Sequence, residues 1–319
     1  MPQPLRILTW HVHGNYLLYL SEVPHELYLP TAPDGSGGRG SSFPLGANVI
    51  EVPEEEVAER EFDVVVFQER RNWLEDRFRI LSPAQRRLPR LYVEHDPPRE
   101  HPVDQHHWMD DPEVLLVHVT HFNQLMWNTG DVRSVVIEHG VRVPGVGWTG
   151  ELERGLVVVN ELAARGRRVG ADLFERARRE VPLDLAGMAS PEVGGLGAIA
   201  PTELWPRASR YRLFFHPIRW TSLGLALLEA MTIGMPVVAV ASTEVASVID
   251  DGVSGVVDTR FDRLVERMRD LLRDPEEARR LGAAGQRVAR ERFGIERFAR
   301  DWDRALRAVA EAGVAREAV

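Results

Sequence analysis

The chain has 319 residues, an apolar fraction of 44% and a formal net charge of −9. Two domains of about 150 residues are expected at that length, and the acidic balance excludes a surface built to hold a nucleic-acid backbone. Cysteine and lysine are both absent. That excludes disulfide frameworks, thiol catalysis, Cys-bound zinc, Schiff bases and a P-loop lysine, and leaves Arg side chains, backbone N–H groups or a metal to hold any phosphate. No apolar run approaches the roughly 18 residues of a membrane span. MPQPLRILTW lacks the basic-then-apolar layout of a secretory leader, so a cytoplasmic protein is expected.

In chain order, strands are predicted over residues 5–10, 48–52, 63–67, 90–95, 114–119 and 134–139. Helical patterns lie between them at 15–23, 54–60, 72–81 and 121–127, and 31–42 reads as a mobile Gly/Ser-rich loop. Continuous Val/Leu/Ile strands separated by helices predict a parallel sheet covered on both faces. The pattern breaks into Gly and Pro over 140–155. It restarts with strands at 155–160, 183–188, 211–216, 236–241 and 254–259, and helices at 171–181, 201–208 and 223–231. From about residue 260 the chain reads as helical. The expected fold is α/β, with doubly wound Rossmann-like domains over 1–148 and 149–299 and a helix over 300–319 crossing back to the first domain. Two such domains would face a cleft, with ligands at the carboxyl ends of the strands.

The most informative stretch is YRLFFHPIRWTSLGLALLEAMTIGMPVV, 211–238. A buried strand delivers the chain through a tight loop into a helix expected to start near Leu223. The Ser222, Leu223 and Gly224 amides at that start form an anion site. Glu229 is a lone carboxylate in an otherwise apolar helix, which needs a reason. Phosphate at the helix start and hydroxyls further along describe a nucleotide sugar; an ordinary packed helix is the plainer alternative.

Glu229-Ala230-Met231 followed by Gly234-Met235-Pro236-Val237-Val238 resembles the donor-binding signature of retaining, nucleotide-sugar-dependent GT-B glycosyltransferases, family 4-like, in which a Glu is followed after seven residues by a second Glu. The first Glu is replaced here by Thr221. The resemblance gives Glu229 the ribose hydroxyls and leaves Thr221 only a hydroxyl for the sugar. GLVVVNELAARG (155–166) resembles the same family's strand and turn carrying Arg, four residues, then Lys-Gly; the equivalents are Asn160 and Arg165-Gly166. Arg165, with Arg168, would neutralise the diphosphate, unless the turn is merely solvated. Gly14 resembles the glycine of the family's first loop, and His95-Asp96 the histidine beside the reacting sugar. In TEVASVIDDG (243–252), Ser247 takes the place of a family Glu and Glu244 precedes it.

His11, His13, Asn15, Thr120 and His121 are acceptor-side candidates, Thr120 doubling as a helix cap. His101, His106, His107, Asp104, Asp110 and Asp111 read as a surface loop before a metal cluster. The resemblance implies transfer of a sugar from a nucleoside diphosphate sugar to a hydroxyl acceptor, with retention, without metal and without a further cofactor. Two alternatives remain open. One is a nucleotide-sugar-binding pseudoenzyme, motivated by Thr221, Asn160 and Ser247. The other is a metal hydrolase barrel built on His11 and His13.

Overall fold

A computed structural model describes residues 3–317; residues 1–2 and 318–319, the ends of the first expected domain and of the terminal helix, lie outside the described residues. The chain forms two compact units, Met1–Gly140 with Ile295–Val319, and Val141–Gly294. Both are parallel-sheet α/β units of Rossmann type, as expected. The crossings lie at 140/141 and 294/295, a few residues before the expected 148/149 and 299/300. They run side by side: the Val141 amide donates to the Phe293 carbonyl at 2.9 Å.

The first unit holds β1 (Arg6–Thr9), β2 (Glu26–Thr31), β3 (Val49–Pro53), β4 (Val64–Phe67), β5 (Arg90–Glu94), β6 (Val114–His118) and β7 (Ser134–Val136). Their spatial order is β3-β2-β1-β4-β5-β6-β7, parallel throughout. Strand β2 was not among the expected strands, and it contains Pro30, a residue that lacks a ladder donor. Pro30 lies beyond Tyr28, the last residue of β2 paired with β1, so its missing N–H costs no bond on that side. The sheet is open, with β3 and β7 as edges. A closed barrel has no edges, so the metal hydrolase alternative is corrected. Among the described residues no group of three or more His, Asp or Glu side chains is placed to hold a metal.

Helices α1 (Gly14–Leu20), α2 (Arg77–Ile80) and α3 (His121–Met126) belong to this unit. The helix expected over 54–60 is a 3₁₀ helix, and that over 72–81 opens as a π turn held by Asn72 Nδ2 donating to Asp76 at 3.0 Å. The C-terminal helix, Ile295–Glu317, buries Phe298, Trp302 and Leu306, spaced for one helical face. Gly140 leaves room for Phe298: a Cβ there would meet its Cβ at 2.2 Å. No helix among the described residues is long and apolar enough to cross a membrane.

The second unit holds β8 (Leu152–Val158), β9 (Leu183–Ala186), β10 (Tyr211–His216), β11 (Val237–Val240) and β12 (Val256–Asp258), in the parallel order β12-β11-β10-β8-β9. Its helices are α4 (Leu162–Arg165), α5 (Ala171–Ala177), α6 (Pro201–Ala208), α7 (Leu225–Thr232), α8 (Val245–Val248), α9 (Phe261–Arg273) and α10 (Pro275–Arg292). The chain leaves β8 for the edge strand β9 and returns to β10 on the other side of β8. The order therefore reverses between β8 and β10, and ligands of such sheets bind at the carboxyl ends beside that reversal.

Helix α10 packs at backbone distance on the turn after α7, where a Cβ on Gly282 would lie 2.1 Å from the Gly234 carbonyl oxygen. Gly282→Ala is therefore expected to destabilise the protein by about 1–3 kcal/mol, the usual cost of overpacking, seen as a lower urea midpoint; an unchanged midpoint would contradict this packing.

Candidate active site

At the reversal point the loops after β8 and β10 are joined. The Arg219 and Trp220 amides both donate to the Arg168 carbonyl, at 3.0 and 3.1 Å. Gly170, at φ 81°, lies against the other loop, and a Cβ on it would stand 2.2 Å from the Pro217 carbonyl oxygen. The Arg219 guanidinium forks onto Asp172 at 2.6 and 2.8 Å, and this bond holds the Asp172 carboxyl below the usual range. Neither residue was singled out in the sequence; the pair is visible only once the two loops are adjacent.

The strap after β11 ties the same loop from the far side. Ser242 Oγ donates to the Ile218 carbonyl at 2.9 Å and Thr243 Oγ1 to that of Ser222 at 3.3 Å. Thr243 adopts φ 49°, a left-handed conformation. Ser222 and Leu223 are buried and Thr221 half-buried. Helix α7 begins at Leu225 with Gly224 as its N-cap, two residues later than expected. In its first turn the Leu227 amide donates back to the Gly224 carbonyl at 3.1 Å, and the amides before it have no acceptor one turn earlier in the helix. Behind this turn stands His216, fully enclosed, its Cε1 edge 3.0 Å from where a Gly224 Cβ would be. Burial pushes His216 down to about 4, so it is a neutral imidazole at pH 7.

Glu229 is only 2% exposed, and its Oε2 accepts from Trp205 Nε1 at 3.1 Å. Trp205 thus supplies a donor to a buried carboxylate. Glu244 is buried and committed: its Oε1 accepts from Arg292 at 3.0 Å and from Ser247 Oγ at 2.7 Å. Arg165 and Arg168 are half-buried, and Arg165 Nη1 lies 3.4 Å from the Asn160 carbonyl. Asn160 Oδ1 accepts from the Met188 amide at 2.9 Å, pinning the loop after β9.

In the first unit the carboxyl ends of β1 and β5 bring His13 and His95 together, ring centroids 4.6 Å apart, with Tyr16 also 4.6 Å from His95. Burial, then the neighbouring His13 and His139, hold His95 well below the usual histidine range. Asp96 pairs with Arg99, its amide donates to Glu94 at 2.8 Å, and its carbonyl accepts from Trp127 Nε1 at 2.8 Å. The surface-loop expectation for 91–112 holds for His101, Asp104, His106 and Asp110, which are exposed. It fails for His107, which is buried: its Nε2 meets Glu94 at 2.9 Å while its Nδ1 accepts from the Met109 amide.

Gly14 faces Phe43, and a Cβ there would overlap the ring at 1.9 Å. The His11 ring bonds the Gly38 carbonyl at 2.8 Å, in the 31–42 loop. Asn15 lies in the first turn of α1. Thr120 is buried as the cap of α3, accepting from the Asn123 amide at 3.0 Å, and His121 is exposed.

Residues 186–288 match the family model described as Glycosyl transferases group 1. No curated protein matches the chain by sequence. Among solved structures, sucrose-phosphate synthase from Thermosynechococcus elongatus is similar over 98% of this chain and 100% of its own, at 16% identity and a TM-score of 0.70. HepE of Anabaena, in complex with UDP, matches 96% of this chain and 100% of its own, at 14% identity and TM-score 0.66. A glycosyltransferase from Rickettsia africae matches 97% of this chain and 99% of its own, at 11% identity and TM-score 0.67. These likenesses carry the fold, which is GT-B. The second unit carries a group 1 glycosyltransferase match over 186–288.

Trp205→Phe removes the indole donor and leaves Glu229 short of a partner in a buried place. The expected cost is about 1–3 kcal/mol, read by chemical denaturation; full stability would show that Glu229 does not depend on Trp205.

Proposed function

We propose that this enzyme takes a nucleoside diphosphate sugar as donor and transfers the sugar to a hydroxyl acceptor with retention of anomeric configuration, without metal or further cofactor, in the cytoplasm. The observation that supports the reading is the junction of the loops after β8 and β10, where the Arg168 carbonyl receives the Arg219 and Trp220 amides. A diphosphate is the ligand such a pairing suits: guanidinium groups on one side, main-chain N–H groups on the other.

The roles follow from the chemistry. The diphosphate departs as an anion, so catalysis consists mainly of stabilising it and holding the acceptor in place. Arg165 and Arg168 supply charge-assisted bonds, each contributing about 1.5–3 kcal/mol. The amides of Ser222, Leu223 and Gly224 add about 0.3–1 kcal/mol through the helix end. Glu229, its direction fixed by Trp205, holds the ribose hydroxyls, with Gly14, Asn160 and Thr221 as further donor-side groups. His95 and Asp96 border the anomeric carbon. A neutral His95 acts there as a hydrogen-bonding group, because its surroundings oppose a charge. His11, His13, Asn15, Thr120 and His121 are the acceptor-side group, Thr120 through its backbone since its hydroxyl caps α3.

The test is a thermal-shift screen of UDP-, GDP- and ADP-sugars. A ligand at 100 times its dissociation constant stabilises by about 2.7 kcal/mol, and at least one donor is expected to do so; no shift with any, or binding without turnover or donor hydrolysis, would contradict the proposal. Glu229→Gln keeps an acceptor for Trp205 and is expected to weaken donor binding about tenfold, worth about 1.4 kcal/mol. Arg165→Ala is expected to lower turnover by roughly 10- to 100-fold, as loss of one charge-assisted bond implies.

A further inference from the structure

Four arginines crowd the two joined loops: Arg165, Arg167, Arg168 and Arg219. Position alone makes Arg219 the obvious phosphate ligand, since it lies in the loop that leads into α7. Its bonds say otherwise. Nη1 and Nη2 fork onto both carboxylate oxygens of Asp172. Nη1 also donates to the Arg167 carbonyl at 2.8 Å. The Arg219 amide reaches the Arg168 carbonyl. Asp172 takes Arg167 as well, at 2.7 Å. It sits in the first turn of α5, directly behind the β8 loop. The guanidinium and carboxylate are both about 30% exposed, at 29% and 31%, so water competes only in part.

We infer that Arg219 and Asp172 are positioning residues. They form a strut across the reversal point that sets the spacing between the Arg165 turn and the start of α7, and so the affinity for a nucleoside diphosphate, without touching it. This rests on the proposed reading of that end of the sheet as the diphosphate site. A bidentate fork fixes both distance and orientation, which an ammonium cannot do. Asp172 also pairs with two of the four guanidinium groups, and its one negative charge lowers the repulsion that would otherwise push the loops apart.

The two roles open to Arg219 differ in sign. If it were a phosphate ligand, Asp172→Asn would release it and strengthen diphosphate binding, and Arg219→Lys would retain most of the affinity. As a strut, Asp172→Asn, Arg219→Lys and Arg219→Gln should all weaken binding. The experiment measures dissociation constants of UDP, GDP and ADP and of the parent nucleosides, together with hydrogen exchange at the Arg219 and Trp220 amides. For each variant we expect the tightest diphosphate to bind at least tenfold more weakly, its nucleoside within twofold of the unaltered protein, and the two amides to exchange at least tenfold faster. Tighter binding by Asp172→Asn, near-full affinity in Arg219→Lys, equal losses for nucleoside and diphosphate, or unchanged exchange would each overturn the strut. Failure of the unaltered protein to bind any nucleoside diphosphate would instead fail the site reading, and the positioning role with it, while the exchange arm still reported on the strut.

Discussion

One backbone carbonyl, that of Arg168, receives two amides from the loop after β10. This junction decides what the second unit can do. A reversal of strand order opens a crevice at the carboxyl ends of a sheet, but only fixed loops turn that crevice into a site. Here the fixing is redundant. Gly170 packs against Pro217, Asp172 grips Arg219, and Ser242 and Thr243 hold the loop from the β11 side. Thr243 accepts a left-handed backbone to do so, the kind of local strain that persists when surrounding bonds over-determine it.

The second theme is buried polarity. Glu229 with Trp205, Glu244 with Arg292, and Glu94 with His107 are carboxylates out of reach of bulk water, each with a specific donor. A buried charge without partners costs far more than the bond that satisfies it. Each pair therefore fixes a direction as well as a position: Glu229 on α7, the strap that follows β11, and the segment of β5 that leads into His95.

The fold was legible because buried parallel strands are near-continuous apolar runs, and all but β2 announced themselves that way. Strand β2 did not, and it contains Pro30, whose lack of an N–H matters only where a neighbour would accept it. Helix α7, which begins two residues later than expected, was legible because its pattern is local. Trp205 with Glu229, 24 residues apart, and Asp172 with Arg219, 47 apart, were not. Those pairings exist only after α6 and α7, or the two loops, are brought together by the sheet, and no local period encodes them. His107 was misread for the same reason: a polar, proline-containing stretch has the composition of a surface loop whether or not one of its residues turns inward onto Glu94.

The central claim is that this end of the second sheet captures a diphosphate with guanidinium and main-chain donors while Glu229 takes the pentose. A crystal structure of the protein soaked with the nucleoside diphosphate that binds it best tests this most directly. The phosphate oxygens should lie within hydrogen-bonding distance of the Ser222–Gly224 amides and the Arg165 guanidinium, with the pentose hydroxyls on the Glu229 carboxylate. Density for the nucleotide at any other place, or a pentose out of reach of the Glu229 carboxylate, would contradict it.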